Sequence, residues 1–239
     1  ERGGIEADLT VTRESQDRYL IVTAAATQTR DYTYLKDQIG KDERAAVIDV
    51  TSGSAVLSIM GPNSRALLQS LTSTDMSNEA FPFGTSQIID LGYARVRASR
   101  VTFVGELGWE LYIATEYATG VFDAIVAVGD KFGLKHAGYH ALNSMRTEKG
   151  YRHWSHDISP DDSPIEAGLG FTVAWNKAGG FIGRDALLKQ KETGVKKRLV
   201  QVALKDAGKL LYHNEPIWRN GEIVGHIASG MFGHHIGKS

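Results

Sequence analysis

The chain has 239 residues, 42% hydrophobic and 23% charged, enough for one large domain or two modest ones and too apolar for disorder. Its 27 basic and 28 acidic residues leave a formal net charge of −1, so no basic surplus points to nucleic acid or to an anionic membrane surface. Without cysteine, disulfides, thiolate metal ligands and a cysteine nucleophile are excluded, and the composition suits a reducing compartment. No run of about 18 apolar residues is present, no signal peptide precedes ERGGIEAD, and the start without Met reads as part of a longer polypeptide.

In chain order, the periodicity predicts two strands and then a helix, three times over. The first unit runs from IEADLTVTR through DRYLIVTAA into TQTRDYTYLKDQI, with Glu14 to Asp17 as the turn. Its first strand alternates Ile5, Ala7, Leu9 and Val11, which puts Glu6, Asp8 and Thr10 on the other face. The second unit runs from AAVIDVTS and AVLSIMG into NSRALLQSLT, and the third from ARVRASRVTFVG and GWELYI into EYATGVFDAIVAVGDKF. Short strands, tight turns and interleaved helices predict an α+β fold with antiparallel sheets rather than a parallel doubly wound one. A helix at HALNSMRTEKG follows, then a long irregular stretch, YRHWSHDISPDDSPIEAGLG, of the kind that often carries function. After the short helix RDALLKQKE, the strand KRLVQVAL and the apolar runs around Arg219-Asn220-Gly221-Glu222 read as a separate, mostly β module from about residue 195, with a hairpin at Asn-Gly.

No G-x-G-x-x-G, Walker loop or G-x-S-x-G elbow occurs. The eight histidines lack metal-ligand spacing, and Arg146, Glu148 and Lys149 read as a structural ion-pair network. GELGWELY places two carboxylates, Glu106 and Glu110, beside Trp109, Phe103 and Tyr112. A carboxylate in an aromatic pocket can accept paired N–H bonds from a planar heterocycle, as it does from a guanidinium.

Taken together, the blocks GGIEADLTVTR, GPNSRALLQSLT, FVGELGWELYI, ALNSMRTEKGYRHWSHDI, DDSPIEAGLGF and FIGRDAL resemble, in order and spacing over residues 3–187, the folate-binding aminomethyltransferase domain of the glycine cleavage T-protein family. The likeness leans toward the copy fused behind an FAD-dependent oxidase in dimethylglycine and sarcosine dehydrogenases. The resemblance implies a three-lobed arrangement ending in a partial β-barrel. It divides the chain into a folate-binding region over residues 1–194, lacking its N-terminal part, and the truncated start of a C-terminal barrel over 195–239. It implies transfer of a one-carbon unit from an oxidised N-methyl amine to tetrahydrofolate, giving 5,10-methylenetetrahydrofolate. FAD is expected only in an upstream domain, and the other partners are folate and the amine-derived intermediate, with no nucleic acid or membrane. The compartment implied is the cytoplasm of a bacterium or the mitochondrial matrix of a eukaryote.

Residue by residue, the resemblance places on Asp8 the aspartate that activates the nucleophilic nitrogen of folate, and on Glu110 the pterin-anchoring glutamate. Leu111, Tyr112, Phe103 on the preceding strand and Phe171 fall at the folate site, and Thr23 in a segment that approaches folate by its backbone. Asp8 is accordingly expected to face the folate pocket near Glu110 and Tyr112. Four residues depart from the family pattern: Phe103 replaces a tyrosine, Leu142 an arginine, and Thr23-Ala24 a serine-asparagine pair. They keep two alternatives open, a regulatory relative of the same fold and a folate-dependent demethylase of a sulfonium or methoxyl donor.

Overall fold

The computed structural model describes residues 2–239. The chain divides into two compact units, residues 1–34 with 150–239, and residues 35–149. In chain order the elements are β1 (Thr10–Arg13), β2 (Tyr19–Val22), α1 (Gln28–Asp37), β3 (Ser54–Met60), α2 (Ser64–Gln69), β4 (Ser86–Leu91), β5 (Ala94–Ser99), β6 (Gly108–Ala114), α3 (Ala118–Gly129), α4 (Tyr139–Glu148), α5 (Arg184–Thr193), β7 (Pro216–Arg219) and β8 (Glu222–His226). No helix among them is long and apolar enough to cross a membrane.

The second unit is built on a four-stranded antiparallel sheet in the order β3-β6-β5-β4. Side chains alternate across it, so each strand gives one row to the core and one to the opposite face. Trp109, Leu111 and Ile113 of β6, Val96 and Ala98 of β5, and Ile89 and Leu91 of β4 join Leu67 and Leu68 of α2 and Val121 and Ile125 of α3 in one buried cluster. The other face carries Ser58, Ser99, Arg97, Glu110 and Tyr112, with Glu110 opposite both Ser58 and Ser99, and Tyr112 opposite Arg97. The apolar row packs the sheet on its helices, which leaves the polar row on the opposite face.

The first unit holds two hairpins, β1-β2 and β7-β8, and the long segment 150–183 leading to α5. At the β7-β8 turn both Asn220 and Gly221 have positive φ, 55° and 83°, the backbone that a two-residue turn needs to match strand twist and that an Asn-Gly pair adopts readily. Residues 195–239 contribute this hairpin, and no closed barrel forms among the described residues.

The predicted strands are longer than those observed. Residues 5–9 form no strand, and β1 begins only at Thr10. Val11, predicted to share the inward row with Ile5, Ala7 and Leu9, is 56% exposed, so the alternation changes phase on entering the hairpin. Residues 45–52 and 197–204 form no strand; Ile48, Val50, Val200 and Val202 are exposed. Alternation alone does not make a strand where no partner lies alongside. The strand predicted over 94–105 ends at Ser99, so Phe103 lies in the bend before β6 rather than on the preceding strand. Strand β4 is absent from the periodicity reading because its adjacent Ile88 and Ile89 mask the period of two; Ile89 enters the core while Ile88 is exposed.

Candidate functional site

In the second unit, β6 sorts its residues by face. Glu110 is half-buried on the polar side, and the Tyr112 hydroxyl donates to its Oε2 at 2.5 Å. Burial pushes the Tyr112 phenol well above its ordinary range, and the bond to Glu110 and that residue's charge push it further. Tyr112 therefore stays protonated and remains a donor. Glu110 Oε1 receives no protein donor among the described residues, so an acceptor is left for an outside N–H group. Leu111 points the other way, into the core, fully buried, and only its backbone faces neither side. Phe103 is half-buried in the bend. Glu106, read beside Glu110 as a possible second pocket carboxylate, instead pairs with Lys149 at 3.5 Å. Arg146 is buried, with Nε donating to Asn143 Oδ1 at 2.9 Å.

In the first unit, Asp8 is exposed and receives no hydrogen bond among the described residues. Atoms crowding the carboxyl without closing over it push its pKa up by desolvation, while the charge of His153 opposes the rise. Thr23 follows β2, and its hydroxyl is committed to Asp31. Phe171 sits on a single helical turn, residues 170–172, 85% exposed.

Periodicity singled out none of the residues around that strand. Asp31 is buried on α1 and accepts bonds from Thr23, from Thr27 Oγ1 at 2.6 Å and from Arg30 Nη1 at 2.9 Å. Burial alone pushes its carboxyl up, but these bonds and the Arg30 charge outweigh that and hold it below the usual range. A depressed pKa contributes stability that is complete above the unfolded value, about pH 4, and disappears as pH falls through the folded value. Thermal melts of the chain are therefore expected to shift downward on acidification below about pH 4, and Asp31→Asn to lower the midpoint at neutral pH while flattening that part of the dependence. Arg30 also pairs with Glu6 and lies over the Trp154 ring, 4.8 Å from its centroid. Arg30 and Trp154 are 124 positions apart in the chain, so no local pattern could have joined them.

Among the histidines, His156 and His213 stack at 4.4 Å and His153 lies 5.8 Å from His156. Among the described residues no group of three His, Asp or Glu side chains is disposed to hold a metal ion.

Comparison with known proteins bears on this arrangement. The model of the GCVT N-terminal domain matches residues 1–177, and that of the glycine cleavage T-protein C-terminal barrel domain matches residues 197–239. The chain belongs to the glycine cleavage T-protein family. Its relatives in this family include 4-methylaminobutanoate oxidase (formaldehyde-forming) of Paenarthrobacter nicotinovorans, 45% identical over all of this chain and 29% of that protein. Another is the mitochondrial sarcosine dehydrogenase of Homo sapiens, 42% identical over all of this chain and 27% of that protein. The chain thus spans less than a third of the length of these T-protein relatives. The crystal structure of glycine cleavage system aminomethyltransferase T from Bartonella henselae superposes on all of it, and on 63% of that chain, with a TM-score of 0.83 at 24% identity. The T-protein fold, α+β with antiparallel sheets, is thereby established for this chain.

Proposed function

We propose that this chain is the tetrahydrofolate-binding part of a larger protein, and that it receives a one-carbon unit from an oxidised N-methyl amine to form 5,10-methylenetetrahydrofolate. The observation that carries this reading is the Asp8 carboxylate, exposed, without a protein donor and with a raised pKa, in a member of the T-protein family. An exposed carboxylate is open to a ligand's N–H, and one less acidic than usual suits accepting a proton.

The residues present fit tetrahydrofolate. Glu110 keeps one unpaired acceptor oxygen on a half-buried polar face, where it can take an N–H of a planar heterocycle, and Tyr112 holds that carboxylate in place. Tetrahydrofolate, when bound, supplies the nucleophilic nitrogens that take up the one-carbon unit. The carbon would gain bonds to two folate nitrogens as both of its bonds to the amine nitrogen break, their electron pairs leaving with the amine; of the two protons the folate nitrogens lose, the departing amine takes one and Asp8 would take the other. Phe103 and Phe171 offer ring faces, and Leu111 and Thr23 backbone contacts. This reading includes a folate-binding region over residues 1–194 and a barrel domain beginning at 195. It also includes an FAD-dependent oxidoreductase part outside this chain that generates the iminium; the greater length of the relatives supports that.

Calorimetric titration of the full-length protein with tetrahydrofolate tests it. Saturable binding is expected, weakened by about 10- to 100-fold in Glu110→Gln, the loss of a hydrogen bond to a charged group. Absence of heat in the unaltered protein would overturn the reading in favour of a non-catalytic relative.

A further inference from the structure

We infer that Trp154 and Arg30 are positioning residues for Asp8, forming a seat under the segment 4–8; this rests on Asp8 being the proton acceptor. The Trp154 indole N–H donates to the Ile5 carbonyl at 2.8 Å, and the Ile5 N–H donates to the Asp162 carbonyl at 2.9 Å. Both backbone groups of Ile5 are thus held by the segment 154–162. One residue earlier the backbone lies flush on the same segment: a Cβ on Gly4 would meet the Pro160 carbonyl oxygen at 1.9 Å, so only glycine fits there. One residue later Glu6 pairs with Arg30, whose guanidinium lies over the Trp154 ring. Arg30 is itself held by Asp31 at 2.9 Å.

Asp8 comes two residues after this clamp and two before the β1-β2 pairing begins at Thr10↔Val22. With no donor of its own, it is placed by the backbone on either side, and the seat is the upstream support. The Glu6 and Arg30 side chains are 53% and 37% exposed, and an ion pair so open adds little stability. Its consequence is geometric, because displacing a reacting group by about 1 Å costs on the order of 100-fold in rate. His153, whose charge acts on Asp8, adjoins Trp154 in the chain. Loosening the seat therefore changes the electrostatic surroundings of Asp8 as well as its position.

The test uses the full-length protein, with sarcosine and 4-methylaminobutanoate as trial amines, and measures methylenetetrahydrofolate formed per amine oxidised across pH. Trp154→Phe keeps a ring for Arg30 and removes only the N–H. It is expected to lower the transfer rate about tenfold, the loss of one hydrogen bond's worth of placement, to move the acid limb of the pH profile, and to leave tetrahydrofolate Kd unchanged. Arg30→Met is expected to do the same and Arg30→Lys to restore part of the rate. In an Asp8→Asn background neither substitution should cost anything further. Wild-type transfer in both Trp154→Phe and Arg30→Met, or an equal loss with and without Asp8, would overturn the seat. Normal transfer by Asp8→Asn alone would instead overturn the role of Asp8. Should Trp154→Phe fold poorly by circular dichroism, the two Arg30 variants decide the question.

Discussion

Asp8→Asn is expected to slow formation of methylenetetrahydrofolate by about 10²- to 10⁴-fold, the range associated with removing a positioned general base, while tetrahydrofolate still binds. Asparagine is nearly the same size and cannot take a proton, and since Asp8 makes no hydrogen bond among the described residues, the substitution removes none and gives up the attraction between its charge and that of His153. The pH dependence carries an independent signature. The reacting form is the carboxylate, and desolvation raises its pKa despite the opposing charge of His153. Transfer should therefore fail on acidification at a pH above the ordinary aspartate value of about 3.9. Rapid-quench measurement of product between pH 4.5 and 8 locates that limb. A rate for Asp8→Asn equal to the wild type would remove Asp8 from the chemistry.

Trp109→Ala is expected to destabilise the second unit by about 3–5 kcal/mol, as for other fully buried large aromatic residues. Trp109 is inaccessible to solvent. It meets Phe81 edge to face at 5.9 Å, with the Arg65 and Arg100 guanidiniums 5.9 and 5.6 Å from its ring centroid. Truncation would leave a cavity at the centre of the sheet and two cations without the ring beneath them. Burial, together with the nearby Arg65 charge, already lowers the Arg100 pKa. Trp109→Phe should cost far less, under about 1.5 kcal/mol, because it fills most of the space and removes an indole N–H that has no protein acceptor. Urea unfolding curves of both variants measure the difference. Because Glu110 is the next residue on β6, weaker tetrahydrofolate binding should accompany the loss of stability in Trp109→Ala but not in Trp109→Phe.

The legibility of this chain varied by element for physical reasons. Helices α1, α3, α4 and α5 and the Asn220-Gly221 hairpin were readable because their determinants are local: a 3.6-residue apolar period, or a turn whose two residues tolerate positive φ. Alternation predicts strands at 45–52, 100–105 and 197–204 that do not form and misses the one at 86–91, because a strand exists only where a partner lies beside it, and alternation cannot report the partner. Glu110 is a candidate from its aromatic neighbours in sequence, of which Tyr112 shares its face while Trp109 enters the core; the loss of Glu106 to Lys149 is not legible, since that pairing depends on how a loop meets the end of α4.

By itself the sequence determined the family, through six ordered blocks, and with it the α+β class and the candidacy of Asp8 and Glu110. It also excluded cysteine chemistry and any phosphate-cradling motif, because those require particular residues at particular spacings. Only the tertiary structure decided that Leu111 faces the core while Glu110 and Tyr112 share the polar face, since the direction of a strand's two rows is set by what packs against it. Likewise, only the structure gave Glu6 a partner in Arg30 and the segment 4–6 a seat on Trp154 and Asp162. Those contacts join residues more than twenty and more than a hundred positions apart, and the chain brings them together only by folding.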